Sequence, residues 1–382
     1  MSKGNKNMLN EYVYIVFCVE HYNPLGVVRS LGENGINPIA IVQKSSIQLT
    51  SKSKFIKKLH MVDSIEAGYK ILMEQYGDIY KNGRKPFLFT CDDFTETFLD
   101  AHYEELNDRF YFFNAGQPGR IAYFMNKDNI NKIAIKYGLS VLNSYVVNKG
   151  EIPANIEYPV ITKSIASTVG AWKGDVHICH SEQELKAAYE VIESPKLLLQ
   201  KYIEKKNEFC LEGFSINHGN DVVITIASQY NYVLTDQYSP YMTCENFNRP
   251  DILQKIKKIM KEIGYEGIYE IEFLVDKNDD LHFLEINFRN STWSYASTRA
   301  RMPLPILWSK YMIAGKVGNY YKPLKDNFTA MVELNDFAYR VKKQKMSIFK
   351  WIKDLIQSDC KYYLGKNDLG PIFAIILRKL KR

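Results

Sequence analysis

No two of the six cysteines, at positions 18, 91, 179, 210, 244 and 360, form a C-x-x-C pair. That scatter excludes a zinc ribbon and a disulfide framework, and free thiols in a reducing compartment are expected. Long apolar runs are also missing: nothing approaches the ~18 residues of a membrane span. The stretch VYIVFCV reaches seven residues before Glu20 and has no small-residue cleavage site, so it reads as a first strand rather than a signal segment. Internal repeats and low-complexity linkers are absent too. What is there, 382 residues at 46% hydrophobic, suffices for two or three domains with buried cores.

The net charge of +7 is unevenly placed, since residues 320–382 hold 14 Lys and Arg against 6 Asp and Glu. The body is therefore near neutral, which argues against a nucleic-acid groove and turns the tail toward an anionic surface. In that tail Ile348, Ile352 and Leu355 stand at i, i+4 and i+7 with Lys345, Lys350 and Lys353 around them, and PIFAIILRKLKR follows. Two readings fit: a basic amphipathic helix on anionic lipid, or a helix packed onto the body. A cytoplasmic protein, peripheral at the inner membrane face under the first reading, is expected.

Strand, polar loop, helix and strand alternate from residue 12 (YVYIVFCV, EHYNPLG, PIAIV), with Asn23 and Pro24 as helix start, and PFLFTC with TETFLDAHYEELN continues the alternation. A helix over 128–137 carries Ile130, Ile133, Ala134 and Tyr137 on one face, with Lys127 at its entrance. VLNSYVV, YPVITKSI and LLLQKYI read as strands, Ser181 with Glu184 as a capping box, and FCLEGFSI with DVVITIASQY as two more strands. The helix DILQKIKKIMKEIG stops at Gly264. His177 and His180 form H-x-x-H, but positions three apart on a strand face opposite ways, so no metal pair is expected there.

YEIEFLVDKNDDLHFLEINFRNS reads as a hairpin. With a four-residue loop at Lys277–Asp280, counting outward sets Glu272 opposite Glu285 and Asn287 opposite Glu270. Like charges across a strand pair repel, so the pair calls for a cation or a raised pKa, and a divalent metal resolves the conflict. Mg²⁺ takes carboxylate and phosphate oxygens, Asn287 adds a third oxygen on the face of Glu285, and Arg289 one step on suits a phosphoryl or acyl-phosphate oxygen.

This hairpin resembles the metal-binding hairpin of the ATP-grasp superfamily, and other pieces follow in the superfamily's order. Lys127 resembles the first ATP-contacting lysine and Lys163 the second. QKYIEKKNE resembles the hinge over adenine, which implies base contacts from the main chain of Lys201 and Ile203, help from Gln200, and ribose held by Glu208. The resemblance spans residues 12–315. It implies an α/β chain, α+β in its ATP-grasp part: a Rossmann-like domain over 1–115, an ATP-grasp lid subdomain over 116–195, a catalytic subdomain over 196–318 and a basic, aromatic extension over 319–382. SIASTVGAWKGD lies where the superfamily has a mobile phosphate loop, with Ser167 and Thr168 as candidate cradles. The overall plan looks most like the D-aspartate ligase group of carboxylate–amine ligases.

The activity so implied is ATP-dependent amide formation through an acyl phosphate, with ATP and Mg²⁺ (or Mn²⁺) as cofactors. Lys163 and Arg289 would act on the phosphoryl group, and Glu272, Glu285 and Asn287 on the metal. An amino acid and a peptidoglycan or capsule precursor are the expected substrates, and a homodimer the default assembly. Ser291, Thr292, Arg299 and Arg301, just past the metal strand, are expected near a substrate carboxylate. Tyr230, Tyr232, Tyr238, Tyr241 and Asp236 could line the acceptor pocket, and Gly26 in the first loop could meet a small acceptor. Two alternatives stand beside this reading: a carboxylase-type ATP-grasp enzyme, although no segment reads as a biotin carrier, and an ATP-binding regulatory protein.

Overall fold

A computed structural model of the chain describes residues 8–166, 168–234, 238–319 and 321–380, apart from the side chains of 172, 173, 379 and 380. The unbroken apolar run YIVFCV forms β1 (Tyr14–Val19), buried on both faces as an inner parallel strand must be. With β2 (Ile39–Gln43), β3 (Lys58–Val62) and β4 (Phe87–Phe89) it builds a parallel sheet in the order β3-β2-β1-β4. The edge strand β3 has no counterpart in the sequence reading, because of its five residues only Val62 is buried and its pattern carries little signal. The helix after β1, Tyr22–Gly32, starts earlier than the expected Asn23–Pro24: His21 is the N-cap, and its ring nitrogen accepts the Asn23 N–H at 3.3 Å.

A smaller antiparallel sheet runs β5-β8-β6-β7, from β5 (Ser144–Asn148), β6 (Val160–Ser164), β7 (Ile178–Cys179) and β8 (Lys196–Lys201). Its helix Glu182–Val191 is capped as expected at Ser181, whose hydroxyl accepts the Glu184 N–H, while the Glu184 carboxylate takes the His180 N–H at 2.8 Å. His177 turns its ring to the Gly174 carbonyl.

The largest sheet has seven strands in the order β13-β12-β9-β10-β11-β14-β15. They are β9 (Asn207–Ile216), β10 (Asp221–Tyr230), β11 (Tyr241–Glu245), β12 (Gly267–Val275), β13 (Leu281–Asn287), β14 (Phe328–Met331) and β15 (Cys360–Lys361). The turn between β9 and β10 requires Gly219: its φ is +74°, and a Cβ there would lie 2.0 Å from the Met260 carbonyl oxygen. The helix Pro250–Ile263 stops, as expected, at left-handed Gly264.

Helix Leu304–Ala314 joins the parallel and large sheets. Its Trp308 is fully buried, with ring centroids 5.0–5.7 Å from Phe87, Phe89 and Phe113. The C-terminal stretch is no appendage, since β14 and β15 extend the large sheet. It is also tied to the first helix: buried Arg29 pairs with Asp368 at 2.9 Å and donates to the Tyr362 and Asp368 carbonyls. The six cysteines are buried free thiols. Among the described residues no helix is long and apolar enough to cross a membrane.

Candidate functional site

The edge of the large sheet carries an acidic row. In the β12–β13 pair Glu272 lies opposite Glu285 and Glu270 opposite Asn287, the alignment expected from the sequence. The route to it differs. The loop holds five residues, Asp276–Asp280, with Asp279 left-handed and Asp276 accepting the N–H groups of Asn278 and Asp280, and an irregularity between Glu272 and Phe273 restores the register. On its other side Glu270 faces Glu212 of β9, so Asn287, Glu270 and Glu212 cross three strands in line.

Burial, with the neighbouring carboxylates, pushes Glu270 and Glu272 well above the usual carboxylate range. Glu212, wholly buried, is pushed up to about 7 by burial although Ser291 and Ser294 each donate to it at 2.8 Å. Glu285 is the exception: Lys127, 2.5 Å away, draws it below its ordinary value.

Lys127 opens the helix Lys127–Lys136, its placement fixed by the Asn126 cap and by its own N–H to the Ile165 carbonyl. Burial works against its ammonium, yet Glu285, Glu272 and Asp93 hold its pKa above the usual lysine value. Lys163, on β6, donates to Gln200 Oε1 at 2.8 Å. Burial and then the nearby Lys127 charge lower its pKa to about 8.

Two cavities meet at Lys163, and Lys127 lines the larger of them. One, about 340 Å³, is lined by Gln200, Lys201, Ile203 and Glu208, the four residues expected around a nucleotide's base and sugar, and by Lys163, expected at its phosphates. The Lys201 N–H, however, is donated to the Asn143 carbonyl at 2.8 Å and is not available to a base. Lys205, passed over in the sequence, also lines this cavity and is paired with Glu208.

The second cavity, about 580 Å³, holds Lys127, Glu272, Glu285, Asn287 and Arg289. Asn287, expected on the metal, has its NH₂ donating to Glu270 and Glu272 at 2.9 Å and its oxygen accepting from Arg289 at 3.1 Å. Arg289 is further held by Asp93, at the start of the helix Asp93–Ala101 and unmarked by any sequence motif. Among the described residues no three His, Cys, Asp or Glu groups converge as a ready metal site. The donor set still suits a hard divalent cation, because Glu272 and Glu285 are facing carboxylate oxygens whose mutual repulsion a cation would relieve.

Another part of this cavity is aromatic, with His21, Tyr22, Tyr238 and Trp293, while Tyr230 lines it beside Glu208 and Glu272. The Tyr22 and Tyr238 hydroxyls touch, and burial lowers His21 to about 4, leaving a neutral ring near neutral pH. Thr292 lines the cavity as expected and donates to Asn23 at 3.0 Å. The other expected substrate contacts do not gather here. Ser291 reaches the wall but its hydroxyl is spent on Glu212. Arg299 pairs with Glu33 at 2.9 Å outside both cavities, because the helix Ser294–Arg299 runs back toward the first helix. Arg301 is exposed at a left-handed turn, and neither cavity includes it. Gly26 packs against Tyr295, where a Cβ would come within 2.9 Å. Tyr232 bonds Asp336, and the Tyr241 ring lies under Arg340, both away from the cavities. Ser167 and Asp236 lie outside the described residues.

The chain is similar to the 2-oxoglutarate carboxylase small subunit of Hydrogenobacter thermophilus, 24% identical over 289 residues, covering 69% of this chain and 58% of the relative. It thus spans little more than half of that protein's length. Among solved structures, L-amino acid ligase from Bacillus licheniformis superposes with a TM-score of 0.63 at 12% identity, over 84% of this chain and 79% of the other. The biotin carboxylase domain dimer of the Hydrogenobacter thermophilus 2-oxoglutarate carboxylase, in complex with MgADP, ADP and bicarbonate, does so with a TM-score of 0.61 at 18% identity, over 84% and 74%. At these identities the likeness establishes the fold, which is ATP-grasp. Residues 125–315, half of the chain, match a family description outright, and the chain belongs to that family: carbamoyl-phosphate synthase L chain, ATP binding domain.

Proposed function

We propose that the chain is an ATP-dependent carboxylate–amine ligase working through an acyl phosphate. The observation that carries this reading is the facing pair Glu272 and Glu285, which line one cavity with Lys127 and Lys163, the latter shared with the cavity beside it. Gln200, Ile203 and Glu208 would hold base and ribose, with Lys205 fixing Glu208. Lys127 and Lys163 would meet the phosphates. Glu272 and Glu285 would hold Mg²⁺ or Mn²⁺, joined by Asn287 once its oxygen turns from Arg289, and the bound ion would neutralise phosphate charge.

In the first step the γ-phosphoryl group passes from ATP to a carboxylate oxygen, and ADP is the leaving group. Arg289, held in place by Asp93, would stabilise the transferring group. An unprotonated amine then attacks the acyl carbon, the C–O bond to phosphate breaks, and the amine's proton goes to solvent. Positioning and charge stabilisation carry the rate, with no side chain asked to act as general base.

In this reading the chain divides as 1–115, 116–195, 196–318 and 319–382, it acts in the cytoplasm, and it forms a homodimer. Within the superfamily we place it with the D-aspartate ligase group of carboxylate–amine ligases. An amino acid would be joined to a peptidoglycan or capsule precursor, the larger partner lying at the aromatic part by Tyr22, Tyr238 and Trp293. The L-amino acid ligase neighbour supports a ligase and the carboxylase names support the alternative, so one assay separates them. ADP release is followed with Mg-ATP and a panel of D- and L-amino acids, each with envelope precursors or with bicarbonate. ADP that depends on one amine–carboxylate pair, with a product heavier by one amino-acid residue, is the expected result. Dependence on bicarbonate would establish the carboxylase, and ATP binding without acceptor-dependent turnover a regulatory protein.

A further inference from the structure

The helix Ile348–Gln357 is fastened along one side only. Trp351, 9% exposed, donates its indole N–H to Asp336 at 2.8 Å, and Asp354 accepts from Arg340 at 2.7 Å. These contacts fix the helix's rotation. They leave Ile348, Phe349, Ile352 and Ile356 facing outward, with Phe349 at 81% and Ile356 at 73% exposure. At about 100° per residue these four positions fall within one arc of about 100°. Leu355, expected on the apolar line, turns partly inward instead. Exposed Lys353 borders the arc, exposed Lys350 stands about 100° beyond its edge, and exposed Lys342, Lys343 and Lys345 precede the helix.

A second helix repeats the pattern. Gly370–Leu380 packs Ile372 and Ile375 against the core, while Phe373, Ile376 and Leu377, with Leu369 just before the helix, form an exposed arc. Exposed apolar arcs in a segment with exposed lysines match an interfacial helix, whose apolar side enters lipid while ammonium groups meet anionic headgroups. A second copy of the chain fits less well: this segment carries an excess of positive charge, and a ten-residue helix, about 15 Å long, falls short of the ~800 Å² per partner of a stable interface.

We propose that the helices Ile348–Gln357 and Gly370–Leu380 form a docking surface for an anionic lipid bilayer. Between them lies the segment that backs the aromatic part of the larger cavity, with Tyr362 and Tyr363 against Tyr22 and Tyr362 against Trp293. Docking would therefore anchor the segment in contact with that part.

The full chain is tested by flotation with vesicles of phosphatidylcholine alone and with vesicles containing about one third phosphatidylglycerol. Binding only to the anionic vesicles is expected. Lys350→Glu with Lys353→Glu should weaken it by at least about tenfold, given about fivefold for each basic residue lost. Phe349→Glu with Ile356→Glu should abolish it, and ATP turnover in solution should be unchanged in both pairs, since none of the four residues touches a cavity. Absence of binding to anionic vesicles, equal binding to both kinds, or an outward face that proves to hold two chains together in solution would each overturn the proposal.

Discussion

Lys163→Met removes a cation whose protonation changes near working pH, and this makes its effect measurable in two independent ways. Burial and the Lys127 charge lower Lys163 to about 8, so at pH 8 about half of the free protein lacks this proton. Phosphate oxygens arriving around the ammonium restore it. ATP binding at pH 8 should thus take up about half a proton, and almost none at pH 6.5, well below the lysine's pKa. The sign follows directly: as pH rises through about 8, apparent ATP affinity falls, approaching tenfold per unit from this group. Calorimetric titration in two buffers of different ionisation enthalpy reads the uptake. Methionine keeps the apolar stem and leaves Gln200 Oε1 without its donor. Losing one donor to developing phosphoryl charge should lower turnover by about 10²–10³-fold, or ~3–4 kcal/mol. Unchanged proton uptake in the variant, or turnover within about threefold of wild type, would refute the assignment.

Glu285→Ala should retain the native circular dichroism and lose at least about a hundredfold in ATP turnover, having lost both a metal carboxylate and the partner of Lys127; near-normal ATP hydrolysis would contradict the metal assignment. Trp308→Ala empties a fully buried site between two sheets and should cost about 3–5 kcal/mol in urea unfolding; a loss below ~1 kcal/mol would mean that the helix is not the joint described. Arg299→Ala should leave the acceptor KM within about twofold, because the guanidinium pairs with Glu33 outside the cavities; a large rise would restore this arginine to the site.

What was legible in the sequence depended on how local the signal was. The acid pair came out correctly aligned because strand alternation fixes which side chains share a face, although the loop was one residue longer than assumed and an irregularity in the ladder offset the difference. Glu212 was invisible as a site neighbour because its place beside Glu270 depends on β9 pairing with β12 across more than fifty residues of chain. Asp93 looked like an ordinary acid at a helix start, and its hold on Arg289 spans 196 positions. Lys205 and Lys206 are adjacent and chemically identical, yet one turns inward to Glu208 and the other outward to Asp279. The expectation for Arg299 assumed that chain proximity to the metal strand meant proximity to the site; the short helix after that strand carries it away.

The claim that a carboxylate is activated by phosphorylation is tested most directly with a carboxylate substrate labelled with ¹⁸O, under conditions where the amide product forms. Through an acyl phosphate, one labelled oxygen leaves with each phosphate released, and mass spectrometry of that phosphate should show it shifted accordingly. Phosphate released without label while the amide forms would contradict the account.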